Sequence, residues 1–137
     1  MKYLSDYTEQ AQTELFKSLG AFFAFSKNQF NEGCEKVGAN ENNKIASFGA
    51  GGYVLSKNLD LLIEGLNKIH DLGIKKDLEE NGVNKIIMRE LANHEAQITG
   101  DITETFQALQ GYNITKAEIE NVYKNVFFSL CIKNDWF

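Results

Sequence analysis

Apolar positions spaced three and four apart recur along most of the chain, and two short stretches break that rhythm. Leu4, Tyr7, Ala11 and Leu15 form a stripe that predicts a helix over 5–19, with Asp6 and Glu9 as its capping pair and Gly20 as its stop. The run AFFAFS, residues 21–26, is too short and too aromatic for a helix and predicts a buried strand. Ser26 with Gln29 then caps a second helix that runs to about Val37, followed by an exposed, polar, mobile loop over 38–44. Ile45 to Phe48 and Tyr53 to Ser56 predict a hairpin joined by the glycine-rich GAGG. An anion cradle in that turn lacks the lysine and hydroxyl of a phosphate loop, so the glycines are assigned to backbone turning.

The second half carries helical spacing alone. Leu59, Leu62, Ile63, Leu66 and Ile69 predict a helix over 58–72 that ends at Gly73, with His70 in its last turn. A charged turn over 75–81 follows, closed by Gly82. Val83, Ile87, Leu91, His94 and Ile98 then share one side of a predicted central helix, 83–101. Asp101 with Glu104 caps a short helix that turns Ile102, Phe106 and Leu109 inward. Thr115 with Glu118 caps the last helix, whose stripe is Ile119, Val122, Val126 and Leu130. Residues 126–132 are apolar on every side and call for burial in this domain or in a partner. Strand-and-helix segments before an all-helical half predict one α+β domain over 1–137, with five or six helices around a small, mostly antiparallel sheet built from the 21–26 strand and the 45–56 hairpin.

Composition narrows function more than fold. The net charge of −5 is uneven: residues 69–137 hold eleven acids against six Lys and one Arg. An acidic half repels phosphate backbones, and a single arginine, Arg89, leaves little for bidentate base reading, so direct sequence-specific DNA binding is not expected. Cys34 and Cys131 lie far apart without metal or redox spacing, which fits a reduced, cytoplasmic chain. No leader-type apolar core or membrane span is predicted. No cofactor or bound metal is expected.

Chemistry, where it exists, gathers on the central helix. His94 has Glu90 one turn before it and Glu95 beside it, so carboxylates can orient the imidazole for acid–base work or half a metal site. The order Glu-x-x-x-His lacks the second histidine of a zinc-protease helix, and the structural alternative is a partly buried histidine with satisfied nitrogens. Arg89, Glu90, His94 and Glu95 are the candidates for chemistry. Asp77, Glu79 and Glu80, with the terminal aromatics Trp136 and Phe137, are the candidates for an interface.

Through MKYLSDYTEQAQTELF, GAFFAFSKNQFNEG and RELANHE, the chain resembles a family of small proteins of unknown function from Bacteroidota and their phages. The resemblance is strongest over roughly the first 35 residues and around His94, and it fades after Gly111. It implies a short cytosolic protein carried on a mobile element, and it supplies neither an activity nor site residues. Three functions then stand as expectations. The first is a non-enzymatic protein-binding module, a phage-type, anti-CRISPR-like inhibitor that lays an acidic helical surface and exposed aromatics on a host nucleic-acid-handling defence effector. The second is a small metal-dependent or acid–base enzyme using His94 with Glu90, Glu95 and Asp101. The third is a homo-oligomer that buries the apolar C-terminal helix against its own copy.

Overall fold

The computed structural model describes residues 2–134, so Trp136 and Phe137 lie outside the described residues. The chain is α+β, and it divides into two compact units, residues 1–73 and 74–137. No linker marks the division, which falls inside a helix.

In the first unit, α1 (Leu4–Leu19) ends on Gly20 in the left-handed conformation. Asp6 accepts the Tyr3 amide at 2.8 Å, so the cap lies three residues before Asp6 rather than beginning with it. The expected strand shortens to β1 (Phe22–Phe23). Helix α2 (Lys27–Val37) starts where Ser26 accepts the Gln29 amide, as the capping chemistry predicts. Strands β2 (Ile45–Gly49) and β3 (Gly52–Leu55) form the predicted hairpin, and Ala50 and Gly51 both take positive φ, as a two-residue hairpin loop requires. The sheet order is β1-β3-β2, antiparallel throughout.

Its two faces are separated by ring type contacts. Phe22, Phe30 of α2 and Tyr53 pack together on one face, while Phe16 of α1, Phe23 and Phe48 pack on the other. Glycines make the close approaches: a Cβ at Gly33 would sit 2.3 Å from the Phe22 ring, and one at Gly52 would sit 2.3 Å from Phe48.

Helix α3 (Leu59–Asn81) runs straight through Gly73, where a stop was expected, and takes in the charged turn beyond it. Gly73 is a contact point instead. A Cβ there would lie 2.5 Å from Thr8, and one at Gly65 would lie 2.8 Å from Leu15, so the two glycines let α3 and α1 pack closely. Of the expected core side, Leu62 is fully buried, but Ile63 is exposed.

The second unit continues with α4 (Val83–Asn93), α5 (Ala96–Thr99), α6 (Thr103–Ala108), α7 (Lys116–Val122) and α8 (Phe128–Asn134). The expected 83–101 helix breaks at His94, because Glu95 takes a left-handed φ of 54°. Val83 is exposed, and Ile86, Ile87 and Leu91 form the buried apolar face. The capping box of Thr115 and Glu118 is present in both directions. A π-helical turn, Tyr123–Phe127, then separates α7 from α8. Its wider turn shifts the buried stripe by one residue: Ile119 and Val122 are followed by Phe127 and Cys131 in place of Val126 and Leu130. Val126 and Ile132 are consequently exposed, so this stretch is not buried on every side.

Candidate functional site

Gly82, with φ of 77°, turns the chain between α3 and α4 and sets the end of one helix against the face of the next. Asp77 and Asn81 stand one turn apart on α3, and Arg89 and Glu90 are neighbours on α4. Arg89 donates through Nη1 to Asp77 Oδ1 and through Nε to Glu90 Oε1, each at 2.9 Å. Asn81 adds a donor to Asp77 Oδ1 at 2.8 Å, and the Tyr112 hydroxyl donates to Asp77 Oδ2 at 2.6 Å from 35 residues away. Asp77, Arg89, Glu90 and Tyr112 are all buried. Burial by itself would push the Asp77 carboxyl up. Hydrogen bonds from Arg89, Tyr112 and Asn81 outweigh it and hold the group below its ordinary value. Burial also works against the Arg89 charge, and Asp77 and Glu90 overcome that and raise its pKa. The Tyr112 phenol is pushed up by burial and by the carboxylate beside it.

This arrangement corrects one expectation. Asp77 is fully buried at 0 % exposure, so it is not an acidic interface residue, whereas Glu79 and Glu80 are exposed. Arg89 and Glu90 likewise face the interior. With its donors and acceptors matched, this buried ion cluster ties together α3, α4 and the segment bearing Tyr112.

His94 stands at the rim of that cluster. As the C-terminal cap of α4, it leaves the apolar stripe assigned to it and is half-buried. Its Nε2 lies 3.5 Å from Glu90 Oε2 and its Nδ1 3.5 Å from Glu104 Oε2. The buried Nε2 is within ion-pair reach of Glu90 but makes no hydrogen bond among the described residues. Glu90 thus stands between the Arg89 guanidinium and the His94 imidazole. Glu95, exposed at the helix break, yields its expected place beside the imidazole to Glu104 of α6. His94, Thr99, Asp101 and Glu104 line a small cavity of about 80 Å³. Thr103 holds the Asp101 carboxyl below its ordinary value by donating its hydroxyl and its amide, so Asp101 anchors the start of α6. Among the described residues, no group of three or more His, Cys, Asp or Glu is placed to hold a metal ion.

The first unit carries a different surface. Phe25, just past β1, is 78 % exposed, and Phe23 is 46 % exposed. The backbone at Phe25 is nonetheless tied down. Its amide donates to Gln29 Oε1 at 2.8 Å, and its ring lies over Gly51, where a Cβ would come within 2.4 Å. On one side of the ring opens a hollow of about 500 Å³ that includes Lys27, Phe30 and Tyr53 in its wall. On the other, a groove of about 370 Å³ runs between β1 and the α2 face bearing Gln29, Gly33 and Lys36. Sequence reasoning placed exposed aromatics at the chain's end and treated Phe25 as core. The clue lay in AFFAFS itself, where Phe22 and Phe23 already occupy both faces of a short strand and leave the third ring beyond it.

A small α+β protein with a closed ionic interior in one unit and a presented aromatic ring in the other is thus defined. It belongs to a family of unknown function, DUF7659, whose match spans residues 4–129. That span takes in both of these regions and extends past Gly111, where the resemblance read from the sequence fades. Comparison with curated proteins and with solved structures finds no match. No helix among the described residues is long and apolar enough to cross a membrane.

Proposed function

We propose that this chain is a non-enzymatic protein-binding module whose contact residue is Phe25. The observation that carries this reading is a large aromatic side chain, 78 % exposed, that stands between two hollows on a backbone tied down by Gln29. Rigid aromatics flanked by pockets supply most of the energy in protein interfaces, and fixing the ring beforehand removes the entropy that docking would otherwise cost. The narrower form of the proposal is a cytoplasmic, phage- or mobile-element-borne inhibitor of a nucleic-acid-handling defence effector. The acid excess of residues 69–137, with Glu79 and Glu80 exposed, supports it by favouring approach to a basic partner. The test is affinity capture from a lysate of the encoding organism with the wild-type chain and with Phe25→Ala in parallel. A single stoichiometric partner held by the wild type and lost by the variant is expected. Equal capture by both chains removes Phe25 from the contact.

A second reading rests on the imidazole wedged between Glu90 and Glu104 beside a cavity with Asp101. It makes His94 an acid–base residue. Substituting His94→Gln and screening hydrolytic activity on small esters and phosphoesters tests it. Activity in the wild type that the variant lacks would establish this reading, and a variant that only melts earlier would leave His94 a structural group.

A further inference from the structure

We propose that α3 pairs with the α3 of a second copy of this chain, antiparallel, across the face that carries Leu61 and Leu72. Both leucines point outward, 56 % and 58 % exposed, and both lie in the first unit. Their separation in sequence corresponds to about three helical turns, which sets them within roughly 20° of each other around the helix and about 16 Å apart along it. Ile63, also exposed, lies on a different face. Glu64 and Lys68 occupy the surface between the leucines, on one flank of the line that joins them, and form an ion pair at 3.5 Å. Gly65 and Gly73 hold α1 to the other side and leave this ridge open.

The order of these four residues identifies the occupant. A two-fold axis passing between residues 66 and 67 brings Leu61 against Leu72 of the second copy, and Leu72 against its Leu61. The same axis keeps each flank on its own side. Glu64 therefore comes level with Lys68 of the second copy, about 1.5 Å from it along the helix, and the reciprocal pair forms by symmetry. A parallel pairing does the opposite and sets Glu64 against Glu64 and Lys68 against Lys68. An apolar partner of another kind matches the leucines and leaves both charges unanswered. Within one chain the Lys68 and Glu64 side chains are 73 % and 64 % exposed, so their ion pair contributes little and either member can turn to the second copy at small cost. Three turns of one helix offer less surface than the roughly 1,200–2,000 Å² of a stable interface, so the pairing is weak and depends on concentration.

The experiment is sedimentation equilibrium of the full-length chain at low salt, from micromolar to millimolar concentration. A monomer–dimer equilibrium is expected, and Leu61→Glu should weaken it about tenfold or more. Glu64→Lys and Lys68→Glu each bring like charges together and should each weaken it roughly threefold or more, with the loss shrinking as salt rises. Mixing these two variants in equal amounts should restore pairing, because one then presents two lysines and the other two acids. That rescue cannot come from misfolding, and circular dichroism of each variant should match the wild type. A chain that stays monomeric throughout, which would leave the ridge to a different protein, overturns the inference. So does self-association that Leu61→Glu leaves unchanged, or a mixture that pairs no better than its components. None of these residues belongs to the Phe25 surface, so capture through Phe25 stands or falls separately.

Discussion

In residues 1–73 half-buried aromatic rings lie over glycines around a small buried aliphatic centre of Val54, Leu55 and Leu62, while in 74–137 aliphatic side chains close around Asp77, Arg89, Glu90 and Tyr112. The difference decides what each region tolerates. Ring-on-glycine packing has no polar group to strand and fails through added volume. The ion cluster has volume to spare in its long side chains and fails through an unpaired charge. Presenting Phe25 to solvent is compatible with the first kind of packing, because the other rings of that unit pack on one another without it.

The largest expected effect comes from breaking the ionic side of this contrast. Arg89→Met keeps the volume but leaves Asp77 buried without its cation, and a loss of about 3–5 kcal/mol is expected from denaturant unfolding. Adding Asp77→Asn to that variant should restore part of the loss, because the stranded charge is gone. If the two changes cost the same separately and together, the cluster is not acting through charge.

Tyr112→Phe comes next. It removes a donor to a buried carboxylate, and a cost of about 1.5–3 kcal/mol follows from hydrogen bonds to charged groups. The pH dependence sharpens it. The Tyr112 phenol is favoured neutral in the folded chain, so its contribution is fully present below 10.0 and is lost as pH rises through the raised folded value. Asp77 is favoured charged, so its contribution is fully present above 3.8 and is lost as pH falls through its lowered folded value. Melting curves of the wild type should therefore decline at both extremes. The alkaline decline should flatten in Tyr112→Phe, and an unchanged alkaline limb would contradict the assigned contact.

On the aromatic side, Gly33→Ala adds one methyl where the Phe22 ring already lies within 2.3 Å of the ideal Cβ position. Overpacking of this kind costs about 1–3 kcal/mol. Pairing it with Phe22→Leu, which draws the ring away, should recover part of that loss. No recovery would mean that the methyl is accommodated elsewhere.

These regions also differ in how far the sequence discloses them. Local chemistry was legible: Ser26 with Gln29 and Thr115 with Glu118 act within one helical turn, and the GAGG hairpin needs only its own backbone. The sheet's strands and its antiparallel pairing followed from the same local signals. What depends on distant partners was not legible. Asp77 looks like one more surface acid until Tyr112 is brought to it, and Gly73 looks like a helix stop until Thr8 is set against it. The single π turn at Tyr123–Phe127 moves every later residue by one position on the helix, so an apolar stripe read at constant pitch names Val126 where Phe127 is buried. His94 was correctly tied to Glu90, one turn away, but Glu104 reaches it only because the helix breaks at Glu95.

The smallest expected effect on stability is the one that most sharply separates interior from surface. Phe25 is 78 % exposed, and Phe25→Ala removes a ring that lies over Gly51 and faces mostly solvent. Exposed substitutions without a buried partner usually stay within about 0.5 kcal/mol, so the melting temperature should scarcely move. Gln29→Ala acts on the same ring indirectly: it frees the Phe25 amide and removes the tie that holds the segment after β1. If Phe25 is there for a partner, both variants should fold as the wild type does and lose capture, Phe25→Ala fully and Gln29→Ala in part. A clear drop in melting temperature for Phe25→Ala would instead place that ring among the aromatic contacts that hold the first unit together, and the comparison drawn above would lose its outward-facing side.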